Sequence, residues 1–283
     1  MSTDQPIASA VLAVPKHQRR AIFIDVDGTY AYRSRVPEAH AQAVRTARAN
    51  GHLVFLSTGR PPSMLSDHML AAGFDGLVAS AGAYVRLDDA VLTNRTLEQS
   101  LAQRITTVLD HHGVCYLLES PETLFIPDHA RPRLLAIAEQ DSPELKAQLL
   151  KVSASRPDPW SKACVFDSAV SMQCLLDEIG PELDSVANSV SSTGRHSGEL
   201  FARGLSKADG MELVLEQLDI AVEQSIAIGD GHNDIEMLAL AGTAVAIDGA
   251  PASLLAHADL TVPNPEGLGL ARAFDSLGLT ETA

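Results

Sequence analysis

Short β-branched runs alternate with longer helical stretches in this chain, in two separated blocks, and no other feature narrows its possible folds as far. In the first block AIFID, HLVFLST and LVAS have strand length. PEAHAQAVRTARANG and PPSMLSDHMLAAG lie between them, opened by prolines and closed by Gly51 and Gly73, which predicts helices. From residue 205 the rhythm returns with SKADGMELVLEQL, SIAIG, HNDIEMLALAG, AVAI, PASLLAHA and LTV, and a last helix is expected near 265–277. Strands joined by helices of this length predict right-handed βαβ units and a parallel sheet covered on both faces. Between 84 and 197 the character changes: AYVRLDDAVLT and CYLLESPETLFI read as strand pairs with tight turns, and SASRPDPWSK is rich in Ser and Pro. The expected organisation is a flexible tail over 1–18, a core domain from 19–83 and 198–283, and an α+β domain inserted at 84–197.

The 283 residues, 46% of them apolar, suffice for a large core. A net charge of −15 argues against nucleic acid or an anionic membrane as partner, since both require a basic face. No apolar run reaches the roughly 20 residues of a membrane helix. The first 20 residues place KHQRR after a weakly apolar stretch, the reverse of a secretion signal, so a cytoplasmic protein is expected. Cys115, Cys164 and Cys174 include no CxxC pair and read as small core residues.

Chemistry concentrates where strands end. In IFIDVDGTY, Asp25 and Asp27 are two apart, so on extended backbone both face the crevice at the carboxyl end of the strand. GDGHNDIEML, residues 229–238, also leaves an apolar strand to open a helix. It lacks the third glycine of a dinucleotide-binding loop, and Asp230 within it would repel a pyrophosphate. Acids at a strand end suit a hard cation such as Mg²⁺. In LSTGRP, Thr58 and the neighbouring amides can donate to a phosphate. Lys207 follows Ser206, a serine placed to cap a helix, at a helix start where the helix dipole disfavours a cation, so a site-facing role is expected. No GxxxxGK[ST], HExxH or GxSxG motif is present, which removes support for nucleoside triphosphate binding, zinc hydrolysis and a serine hydrolase.

DVDGT at 25–29, STGR at 57–60, GLSK at 204–207 and GDGHND at 229–234, in this order, resemble the four motifs of the haloacid dehalogenase superfamily. The insertion between the second and third motifs resembles the subclass IIB cap, and the details are most similar to the Cof-type sugar-phosphatase branch. The resemblance implies an α/β fold with a Rossmann-like parallel core and an inserted α+β cap. It implies a Mg²⁺-dependent phosphatase acting on small-molecule phosphate monoesters, sugar phosphates above all, through an aspartyl-phosphate. Asp25 would be the nucleophile, Asp27 the acid and base, and Lys207 would steady the phosphoryl group and Asp25. Thr58, Gly59 and Asn233 would bind phosphate, and Asp25, Asp230 and Asp234 with the Asp27 carbonyl would hold Mg²⁺. Asp27 must gain and lose a proton, so burial and neighbouring carboxylates are expected to raise its pKa. Three positions depart from the family pattern: Tyr30 for Leu, Ala81 for Asn, and Gly249 for the Asn common before Ala250. Tyr84, Glu119 and Arg195 are candidate readers of the leaving group. The rival readings are a phosphomutase and a noncatalytic phosphate-binding scaffold; a monomer or homodimer is expected.

Overall fold

The computed structural model describes residues 19–141, 143–150, 152, 159–186 and 195–281. The tail expected over 1–18 lies outside them. The first strands are β1 (Ala21–Ile24), β2 (Leu53–Ser57), β3 (Gly76–Ala79), β4 (Tyr84–Leu87) and β5 (Ala90–Asn94). Next come β6 (Cys115–Glu119), β7 (Leu124–Phe125), β8 (Lys162–Ser168), β9 (Leu183–Val186) and β10 (His196–Ala202). The last are β11 (Ser225–Gly229), β12 (Thr243–Ile247) and β13 (Leu260–Val262). The helices are α1 (Glu38–Ala49), α2 (Asp67–Leu70), α3 (Gln99–His111), α4 (Arg131–Asp141), α5 (Pro143–Leu150), α6 (Met172–Ile179), α7 (Lys207–Leu218), α8 (Ile235–Leu240), α9 (Ala252–Leu255) and α10 (Gly269–Ser276).

An eight-stranded sheet runs in the order β13-β12-β11-β1-β2-β3-β4-β5, parallel from β13 through β3 and antiparallel at the β4–β5 edge. Successive residues of β1 serve opposite layers, as the period of two requires. Ile22 and Ile24 pack with Val44 of α1 and Phe274 of α10, while Ala21 and Phe23 pack with Met211 and Val214 of α7 and Leu238 of α8. Phe23 stacks on Phe55 at 4.9 Å. A fully buried side chain of this size contributes about 1.5–3 kcal/mol. In α7, Gly210 is needed for contact: a Cβ there would lie 2.4 Å from Val78 Cγ1, so the helix could not sit this close to the sheet. The chain leaves β1 toward β2 and β3 on one side and returns through β11 to β13 on the other, which opens a crevice at the carboxyl end of β1.

The second sheet, β7-β6-β8-β10-β9, is wholly antiparallel. Its membership corrects two expected boundaries. The hairpin β4–β5, expected to open the insertion, extends the core sheet instead, because a tight turn over Ser80–Gly82 carries β3 straight into β4 and buries Val85 among core residues. At the other end β10 belongs to the second sheet, paired with β8 and β9. We therefore draw the inserted unit from the end of β5 to the end of β10.

The segment expected as one helix over 61–73 is broken: a 3-10 turn at Pro62–Met64 is followed by extended Leu65, and Ser66 then caps the short α2 by accepting from the Met69 N–H. Cys174, expected in the core, is exposed on α6, whereas Cys164 is buried.

Candidate active site

The regular part of β1 stops at Ile24, and the Asp25 N–H, donating to the Ile228 carbonyl at 2.9 Å, ties the next residue to β11. Strand alternation puts Asp25 on the α7 side of the sheet. Lys207 arrives there because Ser206 and Asp209 form a reciprocal capping box that satisfies the first turn of α7. The side chain of Lys207 is thus free to turn inward, where it is fully buried. Its Nζ donates to Asp25 Oδ1 and to Asp234 Oδ1, each at 2.5 Å. Asp234 also closes its own loop, accepting from the N–H groups of Asp230 and Gly231 at 3.1 and 2.9 Å. Asp230 accepts from the Thr29 hydroxyl at 3.4 Å. Residues more than 200 apart in sequence thereby converge: carboxylate oxygens of Asp25, Asp230 and Asp234 lie within 4.8 Å of one another. Gly28, at φ +89°, permits this approach, since a Cβ there would fall 2.0 Å from Asp230 Oδ2.

The cluster is under electrostatic stress. Three carboxylates face one ammonium. Burial raises the Asp25 pKa well above the carboxylate range, with Asp234 and Asp230 adding to the rise and Lys207 opposing it. Burial and Asp234 push Asp230 up to about 6. Burial works against the charge of Lys207 too, but Asp234 and Asp25 outweigh it and hold its pKa above the usual value. An all-oxygen donor set with excess negative charge fits a hard divalent cation such as Mg²⁺, which these three acids could hold.

Asp27 behaves otherwise. Beyond Ile24 the chain turns, with the Tyr30 N–H donating to the Asp25 carbonyl and the Ala31 N–H to the Val26 carbonyl, so the alternation of an extended strand no longer applies. The Asp27 carboxylate stands apart from the three-acid cluster and accepts from Arg60 Nε and Nη2, both at 2.6 Å. Its side chain is 48% exposed, so the burial expected around Asp27 is found around Asp25 instead. Tyr30 is fully buried, edge-on to Phe74 at 5.5 Å, and its hydroxyl has no hydrogen-bond partner among the described residues.

A cavity of 700 Å³ opens above these residues, and Asp25, Asp27, Thr58, Gly59, Asn233 and Asp230 all line it from the core side. Lys207 and Asp234 lie beneath its floor. A Cβ on Gly59 would sit 3.5 Å from Asn233 Nδ2 and 3.7 Å from Glu199 Oε2, so the glycine keeps open the space between the second-motif loop and the inserted sheet.

From that sheet come residues that the sequence reading did not single out. Lys162, on β8, is directly opposite Glu119 on β6, and its buried Nζ lies 3.1 Å from Glu119 Oε2 and 3.0 Å from Glu199 Oε2. Lys162 also donates to the Gly59 carbonyl at 2.5 Å, joining the inserted unit to the core, as Ser63 does through the Ser120 carbonyl. The signal for Lys162 and Glu199 was a charge directly before an apolar run, in KACVF and GELFA. Of the three expected readers of the leaving group, Glu119 lines the cavity. Tyr84 packs against the core cluster and Arg195 pairs with Asp167 at the surface.

A family model described as haloacid dehalogenase-like hydrolase matches residues 22–274. YkrA of Bacillus subtilis is 27% identical over 272 residues, a match covering 92% of this chain and 98% of that protein. Phosphatase YwpJ of the same species is 25% identical, covering 87% and 96%. Among solved structures, the HAD subclass IIB sugar phosphatase BT4131 superposes with a TM-score of 0.74 at 21% identity, covering 92% of this chain and 99% of that one; this is a likeness of fold.

Proposed function

The chain belongs to the haloacid dehalogenase-like hydrolases, and from that membership we propose that it is a Mg²⁺-dependent phosphatase of small-molecule phosphate monoesters. The observation that carries this reading is the meeting of Asp25, Asp230 and Asp234 around the Nζ of Lys207, beside a cavity large enough for a metabolite. Phosphatase YwpJ lends support as a relative over nearly the whole chain.

The chemical problem is repulsion. A carboxylate and a phosphate oxygen at 4 Å repel by about 4 kcal/mol at an effective dielectric of 20. Mg²⁺ on Asp25, Asp230, Asp234 and the Asp27 carbonyl would supply the compensating charge. Lys207 holds Asp25 by one oxygen and adds a unit of positive charge beneath the phosphoryl group. Thr58, the Gly59 backbone and Asn233 receive the phosphate oxygens at the core side of the cavity. Asp25 attacks phosphorus, forming an aspartyl-phosphate, as the bond to the alcohol oxygen breaks and Asp27 gives that oxygen its proton. Water then attacks phosphorus, Asp27 takes the water's proton, and the bond to Asp25 breaks to release phosphate. Arg60 keeps the Asp27 carboxylate off the acid cluster and on the side where the alcohol leaves.

Phosphate release from a panel of monoesters with Mg²⁺, including para-nitrophenyl phosphate, tests the reading. Wild type is expected to turn over, and Asp25→Asn to lose about 10³-fold or more. Wild-type release no greater than that of Asp25→Asn would overturn it.

A further inference from the structure

The wall that the inserted sheet gives to the cavity carries a second charged constellation, distinct from the acid cluster. Lys162 and Glu119 are among its most deeply buried side chains, 1% and 2% exposed. The ammonium has three N–H groups, and three acceptors stand around it: the Gly59 carbonyl, Glu199 Oε2 and Glu119 Oε2. Two of the N–H groups are used, on the Gly59 carbonyl and Glu199 Oε2, and the side chain is buried among these acceptors, so the ammonium offers an anion no approach.

The carboxylates are less fully occupied. Glu119 Oε1 accepts from the Cys164 thiol at 3.0 Å, but Oε2, though 3.1 Å from Lys162, receives no bond of hydrogen-bond geometry from the described residues. Burial raises the Glu119 pKa, Lys162 lowers it and Glu199 raises it again. Glu199 keeps 19% of its side chain exposed, lines the cavity, and has both oxygens within 4 Å of where a Gly59 side chain would begin. Two acidic side chains surround one ammonium, beside the loop proposed to hold phosphate. Among the described residues, the rest of the wall from the inserted unit is apolar: Leu117, Leu134, Ile137, Leu149 and Phe166 line it. The cavity's arginines, Arg33 and Arg60, belong to the core side, where Asp27 engages Arg60.

We propose that Glu119 and Glu199 form an acceptor site for the leaving alcohol: they take a hydrogen-bond donor on it, an ammonium or a hydroxyl, and turn away monoesters whose alcohol carries a second acid. The proposal rests on the phosphatase reading and names the substrate class for the same cavity. A second carboxylate or phosphate would enter a pocket already in acceptor excess, meeting like charge with no free cation among the described lining residues of the cap side. A donor would complete the cluster. Because Glu199 stands next to Gly59, the donor falls a short chain away from the phosphate.

Phosphoethanolamine and 2-phosphoglycolate test this cleanly, being of similar length with opposite charge at the distal end; para-nitrophenyl phosphate serves as reference. The kcat/KM for phosphoethanolamine is expected to exceed that for 2-phosphoglycolate by at least about tenfold, well within what a polar site can discriminate. Glu199→Gln should shrink the ratio toward parity, and Glu119→Gln, in the same cluster, should do so if the first variant does not fold. Equal rates on the two esters, or a preference for 2-phosphoglycolate, would overturn the inference while hydrolysis of the reference left the phosphatase reading standing. Failure to release phosphate from all three would overturn both.

Discussion

Two buried lysines, one in the core and one in the inserted unit, each lie between two carboxylates, and yet they are built for different work. Lys207 donates to Asp25 and Asp234 at the end of a parallel sheet, with a third acid, Asp230, beside them. Lys162 lies between Glu119 and Glu199 on an antiparallel sheet and also donates to a backbone carbonyl across the gap to the core. The core cluster is three acids against one ammonium, a deficit suited to a divalent ion. The cap cluster is two against one, a deficit suited to a single donor. Burying such groups costs several kcal/mol per ion after relaxation, so neither cluster is explained by stability alone. The difference teaches that the charge left over, rather than the presence of a buried ion pair, indicates what each pocket takes.

Replacing each lysine in turn breaks the comparison at its widest point. Lys207→Met is expected to lower kcat by about 10³-fold, since it removes positive charge from the reacting centre. Lys162→Met, which frees the Gly59 loop without touching Asp25, should lower kcat/KM by about 10- to 100-fold. Steady-state kinetics on one good substrate gives both values. Equal losses would erase the distinction.

Denaturant unfolding sharpens it. Either truncation strands two buried acids and is expected to cost about 3–5 kcal/mol. Measured against wild type at the same saturating Mg²⁺, much of the deficit should vanish in Lys207→Met, where the cation replaces the lost charge of the acid cluster, whereas Lys162→Met, stabilised by the ion only as wild type is, should keep its full deficit.

The pH dependence of the core cluster has a definite sign. In the metal-free protein Asp230 has its pKa raised to about 6 from 3.8, so the fold binds that proton more tightly than the unfolded chain does. The stability it contributes is fully present below about 4 and lost as pH rises through about 6. Mg²⁺ competes with the proton, so the rise in Tm on adding Mg²⁺ should grow between pH 5 and 7. A shift independent of pH would argue that the ion binds elsewhere.

The smallest expected effect separates a packing residue from both clusters. Tyr30→Phe removes a buried hydroxyl without a partner and should be neutral or stabilising by up to about 1 kcal/mol, with kcat unchanged.

The core was legible because strand and helix periods, proline and glycine punctuation and the four strand-end motifs all pointed to one arrangement. The meeting of Asp25, Lys207, Asp230 and Asp234 was legible from local signals: a carboxylate leaving a strand, and a lysine where a helix dipole disfavours it. The β4–β5 edge was assigned to the wrong sheet because a hairpin pattern says that two strands pair, not which sheet they join. The Asp27–Arg60 pair was not legible because the turn after Ile24 depends on backbone bonds that spacing does not reveal. Lys162 and Glu199 escaped because the strands bearing them come together only through antiparallel register between β6, β8 and β10.

Calorimetric titration of the wild-type chain and Asp230→Asn with Mg²⁺ tests the central claim most directly. The convergence of Asp25, Asp230 and Asp234 requires one ion per wild-type chain and binding weakened by at least about tenfold in the variant, in which one charged ligand is gone. Absence of binding to wild type, or equal affinity in the two proteins, would contradict it.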